Sequence, residues 1–137
     1  MLLALHVIVV VLTGLLVLYS DEQAAVWVLG KKETLDPKRV ALLHTGVSIG
    51  LGLLILTGAF LYADSASAYL TSTTSLIKMA AVAALIINTA VISRLMPVAT
   101  TRAYASLTAR ERLPLFVSGA VSVAGWLTAI ACGLLLA

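Results

Sequence analysis

Four uninterrupted apolar runs divide this chain, and short polar connections separate them. The runs lie near 2–24, 38–62, 74–96 and 114–136. Each is about as long as the roughly 20 helical residues that cross a hydrocarbon core. Their apolarity is continuous, where a membrane β-strand would alternate, and only helices and closed barrels satisfy backbone groups in lipid. Short connections make successive helices neighbours of opposite direction. The pattern therefore predicts an all-α, polytopic membrane protein, an antiparallel four-transmembrane-helix bundle that forms a single domain over 1–137.

Local chemistry agrees with these boundaries. Asp36 followed by Pro37 reads as an N-cap with proline at the first helical position. Thr108 and Glu111 have the spacing of a capping box opening the last helix. Ser72, Thr73 and Thr74 are candidate caps for the third run, and Pro97 is expected to end it. The stretch 63–75 reads as a short loop. The longer stretch 97–113 has room for a short surface helix.

Composition supports the membrane reading. Of 137 residues, 61% are hydrophobic and 11% charged, too little polar surface for a water-soluble domain of this size. The net charge of +3 is no nucleic-acid footprint, because the basic residues sit between the apolar runs. Lys31, Lys32, Lys38, Arg39, Arg94, Arg102, Arg110 and Arg112 all belong to one side, leaving only Lys78 on the other. The positive-inside rule then puts the basic side in the cytoplasm and both termini on the outer, periplasmic side of a bacterial cytoplasmic membrane. The first run reads as a retained span, since nothing basic precedes Leu2 and no A-x-A site follows. Tyr19, Trp27, Tyr62, Tyr69 and Tyr104 lie near span ends, as an aromatic belt would require, whereas Trp126 lies inside a span.

Polar residues inside apolar helices cost free energy unless partnered, so they mark candidate chemistry. At about 100° per residue, His6, Thr13, Ser20 and Asp21 share one face of the first helix. His44, Ser48 and Gly52 share one side of the second. Gly46 and Gly50 lie opposite them as a close-packing pair, within the bundle or toward a second subunit or membrane partner. Lys78, Thr89 and Ser93 form a stripe on the third helix, with Asn88 beside it. Ser118, Ser122, Gly125, Ala129 and Cys132 form one on the fourth. By depth, His6, Thr57, Lys78 and Cys132 fall at an outer level, and Asp21, His44 and Ser118 at an inner one.

Each residue has two readings. His6 is a metal or haem ligand, or an interfacial histidine bonded to a neighbour or water. Lys78 is a counter-charge or part of a proton path, or it snorkels to the headgroups, as its depth favours. Met79 is a candidate iron ligand or a gap-filler. His44 and Asp21 form a proton relay or a structural hydrogen bond, and Asn88 bonds across the bundle. Lone Cys132 excludes an internal disulfide and packs as a small apolar residue. His6 and His44 cannot share one haem, because they lie near opposite faces, about 20 Å apart.

Leu5-His6-Val7 opens the first helix, a Lys and an Arg lead into the second, and Leu56-Thr57-Gly58 closes it. The third runs from Leu76-Ile77-Lys78-Met79 to Ser93-Arg94-Leu95-Met96-Pro97. This order resembles a superfamily of small bacterial four-helix membrane proteins that includes the HemJ-type protoporphyrinogen oxidases and the copper-resistance D-type proteins. The resemblance implies that His6 is an axial ligand of haem b and that Lys78 sits near a propionate or substrate carboxylate. The chain departs from the family where Ser20-Asp21-Glu22-Gln23 replaces an aromatic-rich segment, and at His44 and Asn88, which have no assigned counterpart.

The leading expectation is thus a small membrane protein that binds haem or a metal ion through His6, with a membrane oxidoreductase as its enzymatic form. The alternatives are a non-enzymatic carrier or accessory subunit, and proton or ion conduction through His44, Asp21 and Lys78. No phosphate loop, nucleophile elbow or paired metal-ligand spacing is present in the sequence.

Overall fold

A computed structural model describes residues 1–136. The described residues are helical, with no strand: α1 (Leu2–Val28), α2 (Pro37–Tyr62), a 3₁₀ turn (Ala63–Ser65), α3 (Ala66–Thr71), α4 (Thr73–Thr101), a second 3₁₀ turn (Tyr104–Ser106) and α5 (Ala109–Leu136). The four long helices are long and apolar enough to cross a membrane. Their outer faces stay largely uncovered, with Leu12, Leu15, Ile87, Phe116 and Leu127 all exposed. Such a surface suits lipid.

The helix ends follow from sequence, with three corrections. First, α1 continues one turn past residue 24, to Val28. No breaker occurs before Gly30, which adopts φ 72° and closes a Schellman motif. Its N–H donates to Trp27 O and that of Lys31 to Val26 O, both at 3.0 Å. Second, Pro97 does not end α4, which runs on to Thr101. The extra turn is held by Val98 and Ala99, packed on a buried cluster, and by the Thr101 hydroxyl, which donates to Pro97 O at 2.5 Å. Third, the stretch expected to be a loop after α2 winds into a 3₁₀ turn and α3. The caps of α2 and α5 form as expected: Lys38 N–H donates to Asp36 Oδ1 at 3.1 Å, and Thr108 N–H to Glu111 Oε2 at 2.7 Å. The Ser72 side chain caps nothing at the start of α4.

The long helices associate as two tight pairs, α1 with α2 and α4 with α5. Partner residues ascend one helix as they descend the other. Gly58 lies beside His6, Gly50 beside Thr13 and Gly46 beside Leu16; Gly125 lies beside Leu85 and Gly133 beside Lys78. In each pair, glycines on one helix receive side chains of the other, which lets the backbones approach closely. The Gly46–Gly50 stripe is thereby occupied by α1 of the same chain.

Two apolar clusters tie the pairs together. Val17, Leu51, Leu85 and Trp126 form a central layer with one residue from each long helix. Trp27, Leu35 and Leu107 form a second cluster where the basic connections meet. There Leu35 N–H donates to Ala99 O at 2.9 Å, and the Trp27 indole N–H donates to Arg102 O at 3.0 Å. Trp27 also meets Tyr104 edge to face, with ring centroids 5.2 Å apart. Trp27 is only 2% exposed, so it belongs to this cap and not to a lipid-facing aromatic belt.

Candidate functional site

Above the central layer, the loose ends of the two pairs bring the outer-level polar residues together. Thr57 is buried on α2 by its packing against α1. Its hydroxyl donates to Leu53 O at 2.7 Å. A threonine hydroxyl has a single proton: when it serves Leu53 O, the same oxygen accepts from His6 Nδ1, 2.7 Å away, and when it serves Nδ1 the roles reverse. In the first arrangement Nδ1 carries the imidazole proton and Nε2 keeps a free lone pair, as in histidines that bind metals.

Lys78, half-buried on α4, reaches the same level. Its Nζ lies 5.5 Å from the centre of the Tyr62 ring, a cation–π contact at the C-terminal end of α2. Tyr62 in turn stacks on Tyr69 of α3, with centroids 3.9 Å apart. The extended Lys78 chain passes Gly133, where an added Cβ would stand 3.5 Å from Nζ. The Cys132 thiol is free and buried. Nearer the start of α4, Ser75 is fully buried. Ser75 and the two tyrosines complete this level; the positions of the tyrosines near span ends predict only membrane anchors.

Other candidates lie elsewhere. Met79 points outward, 47% exposed, and is not brought to His6. Asn88 is buried and locked to α5: its amide donates to Ser118 O at 3.0 Å, and the Ser118 hydroxyl donates to its Oδ1 at 2.9 Å. This reciprocal pair is the cross-bundle bond expected for Asn88. The inward line of α4 accordingly runs Ser75, Lys78, Leu85 and Asn88, while Ser93, expected on that stripe, faces outward.

The inner level is a cavity. About 220 Å³ lies between the helix pairs, walled by residues of all four long helices, among them Asp21, His44 and Ser118. No hydrogen bond joins Asp21 to His44 among the described residues. From His44 to Thr57 is 13 residues of α2, about 20 Å of helix, so the two histidines occupy separate levels as expected. The central apolar layer stands between them.

Among the described residues, no three His, Cys, Asp or Glu side chains converge as a protein-only metal cage would. His6 is instead a single, oriented imidazole. Haem held by one protein nitrogen needs such an imidazole and a counter-charge for its propionates. The inner cavity does not fit it. Its volume is below the roughly 300–1,000 Å³ of pockets that take drug-sized ligands.

No protein-family model matches this chain, and neither the curated proteins nor the solved structures contain a match to it.

Proposed function

We propose that the chain is an integral membrane protein whose outer end presents His6 Nε2 as a ligand to haem iron or to a metal ion. In this reading the helices form an antiparallel bundle in a bacterial cytoplasmic membrane. The basic cap around Trp27 and Leu35 faces the cytoplasm, and both termini face outward. The observation that carries the proposal is the 2.7 Å contact of His6 Nδ1 with the Thr57 hydroxyl, which also reaches Leu53 O. Lys78 supplies the positive charge for a propionate or other carboxylate. The order of short motifs resembles that of the four-helix protoporphyrinogen oxidases and copper-resistance D-type proteins, and this resemblance points to the same assignment. A redox role as a membrane oxidoreductase follows where haem b is the group bound. A visible spectrum of the detergent-purified chain after haem addition, compared with His6→Ala, tests the proposal.

A second reading is a carrier or accessory subunit, and the inner cavity favours it. A second copy or partner membrane protein would meet Gly14, Gly52 or Gly119, beside which space is open. Gly46 and Gly50 are already covered by α1. Conduction is the weakest of the three readings, because the apolar layer of Val17, Leu51, Leu85 and Trp126 separates Asp21 and His44 from Lys78.

A further inference from the structure

The inner cavity is closed along the bundle axis and open at its side. The central layer, through Val17, bounds it at one end, and the cap, through Trp27 and Leu35, at the other. Sideways, α1 and α5 scarcely touch. Gly119 on that wall of α5 is exposed, with nothing within 4 Å of where a Cβ would stand. A molecule dissolved in the apolar phase around the helices can therefore reach the cavity between α1 and α5 without crossing either apolar cluster.

The wall is mostly aliphatic, and most of its polar groups are already engaged. The Ser20 hydroxyl donates to Leu16 O, the Ser118 hydroxyl to Asn88 and the Trp27 indole N–H to Arg102 O, while Gln23 Oε1 accepts from Lys32. Among the described residues, the Ser122 hydroxyl, the Gln23 amide nitrogen, the Asp21 carboxylate and the His44 imidazole have no protein partner, and of these only Asp21 is an acid. The single ion pair among the described residues, Arg102 with Glu111, lies elsewhere, and no lysine or arginine pairs with Asp21. A carboxylate in an apolar wall is stabilised by a positive charge or a strong donor that enters with its own apolar body.

We infer that this cavity binds a small lipophilic organic cation, with Asp21 as its counter-ion and the α1–α5 gap as its entrance. The volume suits a molecule of about one ring with a compact cationic head. A neutral apolar ring is the competing occupant, and the test separates the two. Anionic ligands are disfavoured by Asp21.

Calorimetric titration of the full chain in nanodiscs with benzyltrimethylammonium, against its neutral isostere neopentylbenzene, decides the matter. Saturable one-to-one binding of the cation is expected, at least tenfold tighter than that of the isostere. Asp21→Asn should reduce cation affinity at least tenfold and leave the isostere unchanged, while Asp21→Glu retains cation binding. Gly119→Phe should slow or block entry. Equal affinity for cation and isostere in the wild-type chain, or no saturable binding of the cation, overturns the proposal, and this outcome is readable even if a variant fails to fold. So does undiminished cation binding by a folded Asp21→Asn chain.

Discussion

His6 Nδ1 and Thr57 Oγ1 stand 2.7 Å apart, and the same hydroxyl lies 2.7 Å from the carbonyl one turn back, at Leu53. With its proton on that carbonyl, the hydroxyl orients the imidazole and leaves Nε2 as the nitrogen it offers. Thr57→Val keeps the shape and removes the acceptor. Supporting contacts of this kind are commonly worth about 10–100-fold in metal affinity. Haem or metal titration of Thr57→Val should show a loss in that range, smaller than the loss in His6→Ala. Equal binding by Thr57→Val and wild type would mean that the hydroxyl does not set the tautomer.

The Asn88–Ser118 pair joins α4 to α5 by two reciprocal bonds. Hydrogen bonds between membrane helices average about 0.6 kcal/mol and rarely exceed about 1.7 kcal/mol. Ser118→Ala should therefore destabilise the chain by about 1 kcal/mol, and Asn88→Leu by somewhat more, since it adds a steric change. A double-mutant cycle in detergent unfolding should return a coupling of similar size. A coupling near zero would show that the two side chains act independently.

Gly50 has no room for a side chain, because an added Cβ would overlap Thr13, and Gly125 meets Leu85 in the same way, at 2.8 Å. Gly50→Leu and Gly125→Leu should each cost at least the roughly 1–3 kcal/mol of an overpacked core, read as a lowered unfolding midpoint. Gly14→Ala and Gly52→Ala, which meet open space, should be close to neutral apart from a helix-propensity gain. A change in oligomeric state without loss of stability in Gly50→Leu would instead make that stripe an intermolecular contact.

The four-residue apolar layer predicts that proteoliposomes containing the chain leak protons no faster than protein-free liposomes under an imposed pH gradient. Leu51→Asp, placed in that layer, is the variant expected to raise leakage. Conductance in the wild-type chain that vanishes in His44→Ala would contradict the layer's role as a seal.

Much of the architecture was legible because lipid leaves few alternatives. Four apolar runs gave four long helices, and the caps at Asp36 and Thr108 follow from local hydrogen-bonding chemistry that acts within four residues. The spacing of 3.6 residues per turn correctly put His6, Thr13 and Asp21 on one inward face. Pro97 misled because tertiary packing of Val98 and Ala99 outweighs the local cost of proline. Trp27 misled because its position near a helix end suits a lipid anchor and a capped cluster equally well. Depth alone brought His6 and Thr57 to one level, but the direction of their hydrogen bond depends on Leu53 O and could not be read from spacing. The inner cavity was legible only as a set of polar residues at one depth. Its volume depends on how far apart the two helix pairs stand, which no local pattern encodes.

The central claim is that His6 offers Nε2 to a bound iron or metal ion, and a visible absorption spectrum tests it most directly. Purified chain titrated with haem b should give a saturable Soret band at one haem per chain, much weakened in His6→Ala and unaffected in His44→Ala. The absence of a Soret shift on adding haem, or an identical band in His6→Ala, would contradict it.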